Sequence, residues 1–266
     1  MKETSKSRPT TVSNYRHKKI LEMLYQRKSL SADELAAEFG VSKITIRRDL
    51  DALASDKFLE RTRGGAVSVS GLSFEEFFEE KDSSAKKEKS LIGRYVASLV
   101  AENETVFVNA GSTTLEVIRH LQGKKVRIVT NNAACLSLDL DPHQELILLG
   151  GDYRQQSKSL VGDLTSNSLR PIFSSITVLG INGVSIKKGC TSAVHQETSV
   201  NKAMIENSSG KVIVVADHTK MNSVSSFLTC PLNRIDMIVT DWLAPQPFCE
   251  ELEASGLCVV RVADEA

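Results

Sequence analysis

Two sets of side chains in this sequence could do chemistry, and they lie far apart along the chain. The first is a run of cations, Lys43, Arg47 and Arg48, followed by Arg61 and Arg63. Cations at this density suit a lattice of phosphates. An arginine can also grip a guanine edge through two bonds, Ser42 and Thr45 can hydrogen-bond, and Ile44 can touch a thymine methyl. Lys43 is better suited to a phosphate. The second set is Asn109, Gly111, Ser112, Thr113, Thr114, Asn131, Gly150, Gly151 and Asn182, with Glu197 and Lys220. Backbone N–H groups at a helix start, joined by hydroxyls from Gly111-Ser-Thr-Thr114, can cradle a phosphate. Lys220, and with it Lys202, would neutralise the charge. The pattern is neither a Walker loop nor G-x-G-x-x-G, which disfavours ATP and NAD, and no cofactor is expected. Each such loop alone reads as ordinary turn chemistry; five on one sheet edge read as a binding site.

The cations need a helix to present them. Tyr15 to Lys28 predicts a helix with Ile20, Leu21 and Leu24 as its apolar stripe. Ser31-Ala-Asp-Glu34 is a capping-box arrangement that starts a short helix holding Leu35, Ala36 and Phe39, and Gly40 ends it. Ser42 then caps a third helix that runs to about Ser55. A short helix, a glycine turn and a longer helix have helix-turn-helix spacing. Within the third helix Ile46, Leu50 and Leu53 share the face that packs inward, so Ile44, Thr45, Arg47, Arg48 and Asp51 point elsewhere. Residues near the start of a recognition helix reach base edges. Short apolar runs flank Gly64-Gly65 and predict a two-stranded hairpin, a wing carrying Arg61 and Arg63.

The polar loops need strands. Thr105–Val108, Val126–Val129, Glu145–Leu149, Ile176–Leu179, Lys211–Ala216, Ile235–Val239 and Val259–Val262 read as short buried strands, with helices at Leu91–Val100 and Leu115–Leu121. Apolar strands alternating with helices predict an α/β domain with a mainly parallel sheet. Each strand ends in Gly, Asn, Ser, Thr or Asp, and ligands of open α/β sheets bind outside the carboxyl ends of the strands.

The expected organisation is a polar, flexible tail at 1–13, a winged helix-turn-helix domain at 14–70, a charged linker at 71–90 with Phe74, Phe77 and Phe78, and an effector-binding and oligomerisation domain at 91–266. Of the 266 residues 41% are hydrophobic and 25% charged, as in ordinary globular proteins. The net charge of zero hides an asymmetry. Residues 1–70 hold 14 Lys+Arg against 9 Asp+Glu, and the rest hold 19 against 24. A basic head on an acidic body fits a nucleic-acid binder with a separate ligand or assembly domain. No stretch approaches the length of a membrane helix, and the N-terminus lacks the apolar segment of a secretory signal, so a cytoplasmic protein is expected. Cys135, Cys190, Cys230, Cys249 and Cys258 contain no C-x-x-C pair, which argues for buried free thiols and against a metal site.

The run VSKITIRRDLDALASDKFLERTRGGAV resembles the DeoR-type signature, in which V-S-x-x-T-I-R-R-D-L precedes an R-x-x-G-G-A wing. The resemblance is carried by Val41, Ser42, Thr45, Ile46, Arg47, Arg48, Asp49, Leu50, Arg61 or Arg63, Gly64, Gly65 and Ala66. Lys57-Phe58 departs from it, where that family usually has a glycine. The second half is similar to the same family's sensor domain at Gly111, Thr113 and Thr114, Thr130 and Asn131, Gly150 and Gly151, Gly180 and Gly183, Gly189, Thr191 and Glu197, Asp217 and Lys220, and Thr240-Asp241. Asn109 stands where the family commonly has Asp, and Ser112 and Asn182 also depart. The resemblance implies a sensor fold similar to sugar-phosphate isomerases and coenzyme A transferases, with phosphorylated sugars as inducers. The leading reading is a repressor of a carbohydrate-catabolism operon, relieved by a phosphorylated sugar or sugar acid, that binds double-stranded DNA as a homo-oligomer, a dimer or tetramer, since spaced half-sites require paired heads. The alternative is a sugar-phosphate isomerase-like enzyme with a DNA-binding head, using Glu197, Asp217, His195 and Lys220 as acid–base groups. An activator is a third reading.

Overall fold

The computed structural model describes residues 16–17, 19–20, 23–24, 27, 29–55, 59–67, 76–139 and 141–264. The expected tail at 1–13, Leu21, Lys57-Phe58 and Phe74 lie outside them. The chain divides into two compact units, Met1–Phe74 and Glu75–Ala266.

In the first unit the described residues between 16 and 27 are helical, and Ile20, Met23 and Leu24 there are buried. β1 (Ser29–Ser31) leads into α1 (Ala32–Phe39), and α2 spans Lys43–Ser55. The capping box forms as its residues dictate. Ser31 Oγ accepts from the Glu34 N–H at 3.1 Å, and Glu34 Oε2 accepts from the Ser31 N–H at 2.8 Å. Gly40 closes α1 in the left-handed region, at φ 60°. Ile46, Leu50 and Leu53 of α2 are buried against Ile20, Leu24 and Leu35. The wing, β2 (Glu60–Arg61) and β3 (Gly65–Val67), is larger than the expected hairpin. β1 pairs antiparallel with β3, so a three-stranded sheet forms in the order β1-β3-β2. The third strand comes from the segment between the first two helices, which buries Leu30.

The second unit is built on a seven-stranded sheet whose strand pairs are all parallel. Its strands are β4 (Thr105–Val108), β5 (Arg127–Thr130), β6 (Glu145–Leu148), β9 (Ser174–Gly180), β12 (Ser208–Val215), β14 (Met237–Asp241) and β15 (Cys258–Val262). The order β15-β14-β12-β9-β4-β5-β6 winds outward in both directions from the β4/β9 pair. Strand stretches buried on both faces must be apolar, as Val106–Val108 of β4 and Val212–Val215 of β12 are, while the edge strands β6 and β15 are only partly buried. Val106 and Val108 of β4 pack with α4 (Lys86–Leu99) and α5 (Ser112–His120) on one face. Phe107 packs with α6 (Asp163–Leu169), α7 (His195–Glu206) and α8 (Gln246–Ala254) on the other.

Several elements depart from the sequence expectations. The expected linker at 71–90 is structured from residue 76 onward, as the mouth of the second unit. Phe78 buries its ring and starts α3 (Phe78–Ser83), and α4 begins at Lys86. High charge suggested a linker, but Lys89 is itself buried, its ammonium donating to the carbonyls of Lys81 and Ser84 (2.8 Å to the latter). An antiparallel sheet of β10 (Gly183–Ser185), β11 (Gly189–Ser192) and β13 (Phe227–Cys230) and the hairpin β7 (Asp152–Arg154) and β8 (Ser159–Val161) were not expected. Their strands are three or four residues long and too short to show periodicity. Four cysteines are buried thiols, but Cys258 is exposed on the edge strand β15. Burial pushes the Cys135 thiol up to about 11.

Helices α4 and α5 approach closely at Gly93, where an added Cβ would lie 2.7 Å from the Glu116 backbone carbon. A Gly93→Ala variant is expected to lose about 1–3 kcal/mol by overpacking and to melt several degrees earlier in calorimetry. Wild-type melting would refute that close approach.

Candidate functional site

In the first unit the exposed face of α2 carries Lys43, Ile44, Arg47 and Arg48. Ile44 is 64% exposed, an unusual position for a large apolar side chain with no ligand. Arg47 and Arg48 have no ion-pair partner among the described residues. Lys43 touches Asp33 at 2.8 Å, but both side chains are more than half exposed, so the pair is weak and readily exchanged. Other residues expected on this face do structural work. Ser42 Oγ accepts from the Thr45 N–H at 3.2 Å and lies 2.9 Å from Thr45 Oγ1, which makes Ser42 the cap of α2. Arg61 donates to Asp51 Oδ1 at 2.8 Å and to the Gly65 carbonyl at 2.5 Å, bracing the wing to α2. Arg63 is exposed between β2 and β3. Asp49, inside the signature run, is buried and accepts from Arg16 at 2.5 and 3.1 Å and lies 2.9 Å from His17 Nε2. It ties the first helix to α2 so that the arginines on the other side stand free.

In the second unit the order of strands produces the site. Where a parallel sheet winds both ways from a central pair, the loops after those two strands part and leave a crevice. Here the loops after β4 and β9 do so. The cleft they open is lined by Ala110, Gly111, Ser112 and Thr113, by Gly180, Ile181 and Asn182, and by Ala216, Asp217 and Lys220 after β12. It encloses about 620 Å³, counting the part open to solvent. Ser157, Ser192 and Glu197 close one side, and Phe78, Lys81 and Lys89 another.

Six of the expected ligand residues line this cleft: Gly111, Ser112, Thr113, Asn182, Glu197 and Lys220. Asn109, Thr114, Asn131, Gly150 and Gly151 do not, and their bonds show why. Asn109 is buried. Its Nδ2 donates to the Gly180 carbonyl and to Asn201 Oδ1, each at 2.9 Å, and its Oδ1 accepts from the Gly180 N–H at 2.7 Å. Thr114 donates back to the Asn109 carbonyl at 2.7 Å. Asn131 accepts from the Ala110 N–H and donates to the Leu160 carbonyl. The Gly150 carbonyl accepts from Thr165, and Gly151 backs onto the same side chain. These five residues hold the loops, and between Asn109 and Thr114 the intervening residues Ala110 to Thr113 face the space. His195 is exposed with its ring against Phe227, and Lys202 is exposed on α7; neither lines the cleft.

The cleft is lined by groups of both charge signs, with three lysines against Asp217 and Glu197. Gly111 precedes α5, so the first N–H groups of that helix lack intrahelical acceptors and carry the positive end of its dipole. Lys81, Lys89 and Lys220 add three ammonium groups. Burial lowers the Lys89 pKa from the ordinary lysine value, opposed by the Asp217 carboxylate 4.0 Å away. Asp217 also accepts from the Thr219 N–H, while Asp241, fully buried, accepts from the His218 N–H at 2.7 Å, and together they fix the turn that presents Lys220. Glu197 is held by Arg154 at 3.3 Å and Ser159 at 3.0 Å. Such a cavity suits a small molecule with an anionic head and hydroxyl groups. Sequence reasoning missed Phe78, Lys81, Lys89, Ser157 and Ser192. The first three lay in the presumed linker, and the two serines lie on or beside the short strands.

A winged helix-turn-helix unit joined to an α/β unit with an anion-suited cleft defines a DNA-binding transcription regulator with a sensor domain. The chain belongs to the DeoR family: the DeoR-like helix-turn-helix domain matches residues 16–71 and the DeoR C-terminal sensor domain residues 84–242. It is 30% identical over 246 residues to the HTH-type transcriptional regulator GlpR of Haloferax volcanii, covering 92% of this chain and 96% of that one. It is 32% identical over 235 residues to the glycerol-3-phosphate regulon repressor of Escherichia coli, covering 87% and 91%. Among solved structures, ribose 5-phosphate isomerase A of Methanocaldococcus jannaschii aligns with a TM-score of 0.38 and 16% identity over 52% of this chain and 55% of that one. A likeness this loose says nothing of activity. Among the described residues no helix is long and apolar enough to cross a membrane.

Replacing Asn109 by Asp tests its scaffold role. A carboxylate still accepts from the Gly180 N–H but cannot donate to the Gly180 carbonyl. Asn109→Asp is expected to destabilise the second unit by about 1–3 kcal/mol through that unpaired buried group, read as a lower urea midpoint. An unchanged midpoint would show that the amide is not needed to join the two loops.

Proposed function

We propose that this chain is an operator-binding repressor of a carbohydrate operon, relieved by a phosphorylated sugar or related metabolite bound in the cleft between the loops after β4 and β9. The observation that carries the reading is the pairing of an exposed Ile44-Arg47-Arg48 face with a cleft whose lining brings together a helix N-terminus and three lysines. The first suits a duplex and the second a phosphate ester. Ser42, Lys43, Thr45, Arg61 and Arg63 support the reading helix from its cap, its flank and its wing. Operators with spaced half-sites require paired heads, so the working form is a cytoplasmic homo-oligomer. The ligand relieves repression by binding more tightly to the state whose heads fit the operator less well. The names of the relatives support this reading, since one is a glycerol-3-phosphate regulon repressor.

Arg48→Ala is expected to weaken operator binding by about 1–3 kcal/mol and to relax preference at one base pair if the side chain reads a base. If it holds a phosphate instead, binding weakens uniformly and the salt slope falls by about one. Gel-shift titrations at several salt concentrations check this, and unchanged affinity and preference would sink the assigned role of α2. Sugar phosphates should raise the melting temperature without being turned over, because ligand bound to the folded state stabilises it. Turnover of a pentose phosphate would favour the isomerase reading.

A further inference from the structure

The chain enters the second unit through residues 76–83, and this entry strap forms one wall of the cleft. Phe78 and Lys81 of α3 line the space directly. The strap is pinned on its far side by the β7–β8 hairpin. The Phe78 N–H donates to the Gln156 carbonyl at 2.8 Å, Lys158 pairs with Glu79 at 3.0 Å, and Lys158 Nζ lies 4.8 Å from the centre of the Phe78 ring. It is pinned from below by Lys89, which holds the carbonyls of Lys81 and Ser84. Its first described residue, Glu76, is different. The Glu76 carboxylate reaches Lys220 Nζ at 3.3 Å, and Lys220 is one of the cations that line the cleft.

We propose that Glu76 is a built-in competitor for the ligand's phosphate: its carboxylate occupies Lys220, and a phosphate in the cleft displaces it and loosens the strap that leads to the DNA-binding head. The inference rests on the cleft's being the phosphate site. Three lines carry it. Lys220 faces both the cleft and Glu76, so one ammonium serves two anions. Its three donors could satisfy both geometrically, but a phosphate and a carboxylate on the same ammonium repel each other across a few ångströms. The Glu76 side chain is 41% exposed and that of Lys220 22%, so the pair is screened and weak enough to be exchanged. Finally, the displaced residue stands at the beginning of the second unit, one residue after its boundary at Glu75. Whatever frees Glu76 therefore acts first on the segment of chain shared with the head.

The test uses the full chain and inorganic phosphate, titrated by calorimetry at fixed ionic strength. Glu76→Gln keeps the size of the side chain and removes its charge. It is expected to bind phosphate about two- to five-fold more tightly than wild type, the range for a screened ion pair. Glu251→Gln makes the same charge change at an exposed side chain of α8 outside the cleft lining, and is expected to leave the affinity unchanged. Lys220→Ala is expected to weaken binding. Equal affinity of Glu76→Gln and wild type, or equal tightening by Glu251→Gln, overturns the competition while leaving the cleft reading intact. Failure of wild type to bind phosphate overturns the cleft reading and the competition together. Hydrogen exchange supplies the second readout: phosphate should speed exchange of backbone amides at 76–80 in wild type, and unchanged or slowed exchange there overturns the loosening of the strap.

Discussion

The side-chain amide of Asn109 joins the carboxyl ends of β4 and β9 at the one place where the winding of the sheet reverses. It accepts from the Gly180 N–H and donates to the Gly180 carbonyl, so it copies the pairing of a further strand residue beyond the point where the backbones part. Its second N–H reaches Asn201 on α7, from the opposite face of the sheet. Strands, crevice and flanking helix thus meet in one buried group. The loops can diverge to make a cavity only because something polar spans the gap, and a buried amide left unmatched there would be a liability. Around it Thr114, Asn131 and Asn132 tie down the rest of the Asn109–Thr114 loop.

A division of labour follows from this. Polar residues clustered at strand ends look alike in a sequence, yet they fall into two groups in the structure. Asn109, Asn131, Asp241 and Thr165 bond to backbone and stay out of the cleft lining, while Ser112, Thr113, Asn182 and Lys220 line it, Asn182 also accepting from the Ala193 N–H. In the Asn109–Thr114 loop a single residue separates the roles: Ala110 and Thr113 line the cleft, while Asn109 and Thr114 beside them bond within the loops. The same division holds in the head, where Asp49 and Arg61 hold elements together and Arg47 and Arg48 stand free.

How far the sequence alone reached can be judged from particular residues. The helix-turn-helix was legible because its signals are local: a capping box at Ser31, a glycine at 40 and an apolar stripe at Ile46, Leu50 and Leu53. The parallel strands were legible because burial on both faces leaves unbroken runs such as Thr105–Val108. Strand order was not legible, since parallel pairing is set by contacts distant in sequence. The hairpin β7–β8 and the strands β10, β11 and β13 were too short to carry a pattern. Residues 76–90 misled for a physical reason. Their charges suggest solvation, but Lys89 is buried by satisfying helix-end carbonyls, and Phe78 by closing over the cleft. Nothing in a single sequence distinguishes a lysine that caps a buried turn from one that points to water.

The exposed face of α2 takes no part in holding the head together. Ile44, Arg47 and Arg48 lie outside the packed core, and Asp49, Ile46 and Leu50 meet the folding requirements from the other side of the same helix. Stability is therefore carried by some letters of one short word, and the exposed letters are left free of it. A lineage could rewrite those exposed letters one at a time without passing through an unfolded intermediate.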